Sequence, residues 1–153
     1  MASVLFVCLG NICRSPLAEA AFREEARRLK LDVVVDSAGT GGWHVGEPPD
    51  PRAQVVARKN GVDISALRGR QVKPGDFRRF THIVALDEDN LANLRRLAPA
   101  DATADLSLLL DHVEGREGQP VADPYFGDDG FDVTWADVTA GALGLARKLR
   151  RGD

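Results

Sequence analysis

Val4-Leu5-Phe6-Val7-Cys8-Leu9-Gly10-Asn11-Ile12-Cys13-Arg14-Ser15-Pro16 decides how the rest of the chain is read. Its first four residues are an unbroken apolar run, the pattern of a short strand buried on both faces. Ser15-Pro16 reads as a helix N-cap followed by proline at the first helical position. Only a tight loop fits between strand and helix, and Gly10 and Asn11 are residue types that tolerate a left-handed backbone there. A loop curled in this way turns successive N–H groups toward one point in front of the positive end of the helix, which makes an oxyanion site. Cys8 and Arg14 stand at its two ends, six positions apart. The planar guanidinium suits two phosphate oxygens at once, and the same field favours the thiolate. Cys8 is therefore the candidate nucleophile, with Leu9, Gly10, Asn11, Ile12, Cys13 and Arg14 as candidate phosphate binders. A bare C-x5-R spacing turns up by chance in roughly one chain in ten. The strand before it and the helix after it make it specific.

Working outward, strands alternate with helical patterns, which is how a parallel sheet covered on both faces is written. Ala18, Phe22, Ala26 and Leu29 recur at helical spacing and predict a helix ending near Lys30. Val33-Val34-Val35 is a second strand, followed by a long loop from Ser37 to Pro51 with four glycines, three prolines and Trp43. Loops of that length are usually functional or disordered. A helix from about Pro51 to Asn60 ends at Gly61, the usual left-handed C-cap residue. His82 to Leu86 reads as the third strand, Glu88 to Leu97 as a helix stopped by Pro99, and Asp105 to Leu108 as the fourth strand. Trp135, Val138, Ala142, Leu145 and Leu149 give a last helix its buried stripe. The expectation is an α/β three-layer sandwich over residues 1–153: one domain, a four-stranded parallel sheet with helices on both faces, and the phosphate loop between strand 1 and helix 1. Ligands of open parallel sheets bind beyond the carboxyl ends of the strands. Cys8, Ser37 and Asp87 all follow strands, so one crevice can collect them, with Trp43, His44, Asp123, Tyr125 and Phe126 on loops that form its rim and walls.

Composition narrows the function classes. A chain of 153 residues that is 44% hydrophobic can bury a core without disulfides or metal. Its 20 basic residues are outnumbered by 23 acidic ones, for a net charge of -3, which argues against a nucleic-acid partner. Two cysteines within the first 13 residues are no disulfide framework and read as intracellular and reactive. No stretch approaches the roughly 18 apolar residues of a membrane span, and Met1-Ala2-Ser3 leads straight into a strand. The chain is expected in the cytoplasm, away from membranes.

The opening stretch, together with Asp36-Ser37-Ala38-Gly39, Trp43, Asp50-Pro51-Arg52-Ala53, Arg70-Gln71-Val72 and Asp123-Pro124-Tyr125, follows the order and spacing of the low-molecular-weight protein tyrosine phosphatases. The chain resembles that family over nearly its whole length. The resemblance implies hydrolysis of phosphotyrosine in proteins and of small aryl phosphates through a cysteinyl-phosphate intermediate, with inorganic phosphate as product. No cofactor or metal is implied, since Arg14, the helix end and the N–H groups supply the positive charge. A monomer is the favoured state. A tyrosyl leaving group, with a pKa of about 10, asks for a general acid, and the resemblance assigns that role to Asp123, beside the rigid Pro124. By the same pattern Asn11 braces the loop, Ser15 donates to the Cys8 thiolate, Ser37 ties into Asn11, and Asp87 supports. One position departs from it. Where the family carries a histidine that bonds the loop's serine and asparagine, this chain has Leu67. Asn11, Ser15 and Ser37 are then expected to satisfy one another or bind water, with any strain falling on the loop.

Several residues keep a second reading. Asp123 also reads as an Asp-Pro turn initiator and Asp87 as a helix N-cap. Tyr125 and Phe126 also read as aromatics packed on the last helix, and His44 as a solvated loop residue. Cys13 is either a resolving thiol for an oxidised Cys8 or a packed core residue. An arsenate reductase of this fold would finish its reaction with late cysteines, and none follows Cys13. A phosphocysteine carrier leaves Asp123-Pro124-Tyr125 unexplained, and a non-catalytic phosphotyrosine-binding module would lack the nucleophile or the acid. Arg151-Gly152-Asp153 is read as a polar terminus.

Overall fold

The apolar run at the start becomes the centre of the sheet. The computed structural model describes residues 1–125 and 130–152, so the expected role of Phe126 lies outside the described residues, as does Asp153. Strand β1 (Ala2–Cys8) pairs in parallel with β2 (Val33–Gly39) on one side and with β3 (His82–Ala85) on the other, and β4 (Asp105–Leu108) completes the order β2-β1-β3-β4. Side chains alternate across a strand, so β1 divides its residues between two cores. Val4, Phe6 and Cys8 face helices α1 (Arg14–Arg28), α2 (Pro51–Lys59) and α5 (Gly130–Arg151), among Leu17, Phe22, Val56, Val138 and Leu145. Leu5 and Val7 face α3 (Asp76–Arg79) and α4 (Glu88–Leu97), among Phe77, Phe80, Leu91 and Leu94. Val4 to Val7 are fully buried, and each such side chain stabilises the fold by about 1.5–3 kcal/mol relative to exposure. This is the three-layer sandwich expected.

Some boundaries differ from the sequence reading. β2 runs on to Gly39, past the apolar Val33–Val35, because Gly39 also bridges to Gln71 and pairs with Arg70 and Val72. Helix α1 begins at Arg14, with Cys13 in the N-cap position and no side-chain cap. Ser15 is therefore not the N-cap; its hydroxyl is engaged elsewhere, and Pro16 sits in the first turn, where its missing N–H would have lacked a partner anyway. Gly61 has the expected left-handed backbone, φ +85°. The four-residue α3 and a 3-10 turn at Leu109–His112 carry no periodicity and were not expected. That turn lies so close to α5 that a Cβ on Gly144 would overlap the His112 carbonyl oxygen.

The chain leaves β1 to form β2 on one side, then crosses to β3 on the other. The strand order reverses at β1/β3, and a crevice opens outside the carboxyl ends there. Cys8 is the last residue of β1.

Candidate active site

The loop after Cys8 turns through Asn11, whose φ of +59° is the left-handed conformation read from its residue type. Gly10 does not share it. Asn11 N–H donates to Cys8 Sγ at 3.3 Å. The N–H groups of Gly10, Ile12 and Cys13 meet no protein acceptor among the described residues, which leaves donors for a bound oxyanion. The rim is tied directly to this loop: Thr40 N–H donates to the Cys8 carbonyl, Gly41 N–H to that of Leu9, and Asp50 N–H to that of Ile12, all at 2.8–2.9 Å. The long glycine-rich segment is thus part of the site. The Trp43 ring lies against Gly41, where any side chain would collide with it.

Behind the loop runs a chain of side-chain hydrogen bonds whose direction can be derived. Asn11 Nδ2 donates to Ser15 Oγ at 2.8 Å and to Ser37 Oγ at 3.1 Å, while Asn11 Oδ1 accepts from Arg70 N–H at 3.0 Å. Ser37 Oγ lies 2.7 Å from Glu19 Oε1. An ionised carboxylate only accepts, so Ser37 donates its proton to Glu19. Ser15 likewise accepts from Asn11 and turns its own proton away, toward Cys8 Sγ at 3.0 Å, with the Ala38 carbonyl a longer 3.5 Å off. A proton aimed at sulfur stabilises the thiolate form. Asn11, Ser15 and Ser37 take the places the family pattern gave them, and none of the three carries an orphaned polar atom. The strain expected from Leu67 is therefore absent: Glu19, 2% exposed and held by Arg23 at 2.7 Å, does the accepting, while Leu67 packs against the helical core. Sequence reasoning missed Glu19. Its signal was a carboxylate between Ala18 and Ala20, on a helix face otherwise apolar.

Arg14 is 3% exposed. Its Nη1 donates to Asp87 Oδ2 at 2.8 Å and to the Val121 carbonyl at 2.9 Å, and its Nη2 lies 3.6 Å from Asp123 Oδ2. Both readings of Asp87 hold, since its other oxygen caps α4 by accepting from Asn90 N–H at 2.7 Å. The Asp-Pro turn read at Asp123 is present, with Oδ1 accepting from Tyr125 N–H at 3.1 Å, and Oδ2 faces the Arg14 guanidinium. The Tyr125 carbonyl accepts from Arg52 Nη2 at 2.9 Å, and the Arg52 guanidinium lies over the Tyr125 and Phe131 rings at 5.5 and 4.9 Å. Burial opposes the charge of Asp50, but hydrogen bonds from Arg52 outweigh it and hold the carboxyl below the usual range.

These groups enclose a cavity of about 150 Å3. Cys8, Gly10, Ile12, Cys13 and Arg14 form its floor, Trp43, His44, Asp123 and Tyr125 its walls, and Leu9 lies at its mouth. His44 pairs with Glu47 on the rim, and Tyr125 is 39% exposed at the mouth. Asn11, Ser15, Ser37 and Asp87 stand outside the lining and act on it through Cys8 and Arg14. Burial, then the charges of Asp50, Cys8 and Asp123, push the Cys13 thiol far up. No group of three or more His, Cys, Asp or Glu side chains among the described residues is arranged to hold a metal.

A thiol at a strand end, a ring of loop amides and a buried guanidinium with a carboxyl above it define the C-x5-R class of phosphate-binding α/β proteins. Comparison with known proteins narrows the class. Residues 3–153 match the profile of the family described as low molecular weight phosphotyrosine protein phosphatase. The chain is 45% identical over 128 residues to the low molecular weight protein-tyrosine-phosphatase YfkJ of Bacillus subtilis, covering 82% of each chain. It is 46% identical over 132 residues to the low molecular weight phosphotyrosine protein phosphatase of Schizosaccharomyces pombe, covering 84% of each. The crystal structure of Primo-1 superposes with a TM-score of 0.91 at 38% identity, covering 97% of this chain and 98% of that one. The chain belongs to the low-molecular-weight protein-tyrosine-phosphatase family. It is a cysteine-dependent hydrolase of phosphotyrosine and aryl phosphates.

Proposed function

We propose that Cys8 is the nucleophile, Arg14 and the loop amides the phosphate clamp, and Asp123 the general acid and then the base. The observation that carries this is the shared cavity in which Cys8 forms the floor, Asp123 the wall, and Arg14 lies 3.6 Å from Asp123. The thiolate sulfur attacks phosphorus in line with the ester oxygen. As the S–P bond forms and the P–O bond breaks, the Asp123 carboxyl gives its proton to the departing tyrosyl oxygen. Water then attacks the phosphocysteine, Asp123 takes its proton, the S–P bond breaks and inorganic phosphate leaves. Throughout, Arg14 and the free amides of Gly10, Ile12 and Cys13 hold the equatorial oxygens. Leu9 lies at the mouth, 45% exposed.

The site is completed by residues of one chain, which supports action as a monomer. Both cysteines are free thiols, and a thiolate nucleophile persists in a reducing compartment, which supports a cytoplasmic location. Among the described residues no helix is long and apolar enough to cross a membrane. The test is hydrolysis of phenyl phosphate and a phosphotyrosine peptide in EDTA, with a phosphoserine control. Vanadate should inhibit it, Cys8→Ser should abolish turnover while phosphate still binds, and Arg14→Lys should fail because a point charge cannot make the bidentate contact. Turnover by Cys8→Ser, or near-normal kinetics for Arg14→Lys, overturns the assignment. Light scattering checks the monomer.

A further inference from the structure

The catalytic cavity does not end at Asp123. It opens over Leu9 into a larger space of about 530 Å3 that touches Arg14, Asp87, Asp89 and Asp123, where carboxylates outnumber the one guanidinium, and extends to Asn93 and Arg96 of α4. A second cavity, of about 220 Å3, shares Leu9, Asn93 and Arg96 with it and is closed by Thr40, Trp43 and Leu97. Together they form a cleft between the Gly39–Trp43 segment and α4, leading away from the reacting phosphate. Leu9, Trp43 and Leu97 are 45%, 72% and 47% exposed. Apolar residues held open along one cleft beside a binding site mark a surface that is covered in use.

The charges along this cleft are uneven. Near the phosphate, Arg14 is paired with Asp87 and Asp123. Arg96, in the last turn of α4, has no ion-pair partner among the described residues and is the one charged residue lining the smaller cavity. Arg96 is exposed beside Leu9, Trp43 and Leu97, so an incoming carboxylate in the smaller cavity meets a guanidinium with no competing carboxylate in that lining.

We propose that this cleft binds the residues beside the phosphotyrosine of the substrate and that Arg96 selects a carboxylate side chain there. This rests on the reading of the Cys8 cavity as the phosphotyrosine site. Trp43 and Leu9 carry the methylene stem of the flanking residue, and Arg96 takes its head group.

The test is a set of phosphotyrosine peptides with Glu or Lys placed one to three positions to either side, at constant ionic strength, with phenyl phosphate as the control. For at least one position the wild type should show a kcat/KM ratio of Glu over Lys of about fivefold or more, the scale of a partly exposed ion pair. Arg96→Ala should bring that ratio near one and Arg96→Glu should invert it, while phenyl phosphate turnover by both stays within twofold of wild type. A ratio unaltered by Arg96→Ala, or an equal loss on phenyl phosphate, overturns the proposal. Failure of the wild type to hydrolyse phenyl phosphate at all would instead overturn the catalytic reading beneath it.

Discussion

At the scale of single residues, the chemistry was legible where residue types are rare and their spacing strict. Cys8 and Arg14 could be singled out in the sequence because a thiol and a guanidinium at that spacing between a strand and a helix are rare, and Asp123 through the family resemblance. Glu19 was illegible for the opposite reason: glutamate is a common helix former, and nothing local marks the one that is turned inward to accept from Ser37. Glu19→Ala leaves the Ser37 hydroxyl without its acceptor and Arg23 without its carboxylate, with only the Val35 carbonyl still accepting from it. It should cost about 1–3 kcal/mol in urea unfolding and lower kcat/KM, because Ser37 is then free to compete for Asn11 and loosen the aim of Ser15. An unchanged kcat/KM would show that the loop holds itself. For Asp123→Asn, kcat on phenyl phosphate should fall about 10²–10⁴-fold, and much less on an aryl phosphate with an acidic leaving group. Equal losses across a leaving-group series would make Asp123 a positioning residue only.

Among the elements, the four strands and the periodic helices were read from the sequence, and the four-residue α3 and the 3-10 turn were missed. β1, α1, α4 and α5 announce themselves through apolar run or stripe. The α3 turn depends instead on side-chain ties around Asp76, which accepts from Lys73 N–H at 2.8 Å and pairs with Arg70, itself anchored to Asp36 of β2. The start of α1 was misplaced because Ser15 has the residue type of an N-cap, yet its hydroxyl is committed to Asn11 and Cys8. Contact between α5 and the 3-10 turn supplies a test with an opposed default. Alanine is a better helix former than glycine by about 1 kcal/mol, but the His112 carbonyl occupies the space a Cβ on Gly144 would need. Gly144→Ala should therefore destabilise the protein, by about 1–3 kcal/mol from overpacking. A raised Tm would show that the helix and the turn separate easily.

For the molecule as a whole, stability should depend on a histidine far from the chemistry. Burial, and then the charge of Lys148, push His112 down to about 4; its Nε2 meets Ser107 Oγ at 2.9 Å and its Nδ1 meets Lys148 Nζ at 3.1 Å. Asp111 acts in the opposite sense and His82 in the same sense as Lys148. The folded state thus keeps His112 neutral where the unfolded chain, near 6.5, takes up a proton. Stability held above pH 6.5 is lost as pH falls toward 4. Urea unfolding at pH 7 and pH 5 should show a loss for wild type that is smaller in His112→Gln, after the carboxylate contribution common to both is subtracted. An identical loss in the two proteins removes His112 from the linkage.

The nucleophile sits at the end of a strand that is the centre of the sheet and divides its side chains between both cores. Such a centre has no cheap local opening: the cradle around Cys8 cannot come apart without separating β1 from β2 and β3, which is the cooperative unfolding of the whole molecule. The amides of Val4 to Val7 should exchange with deuterium only through that event. In a urea titration, loss of aryl phosphatase activity should then superimpose on loss of the far-ultraviolet circular dichroism signal, so that every folded molecule is an active one.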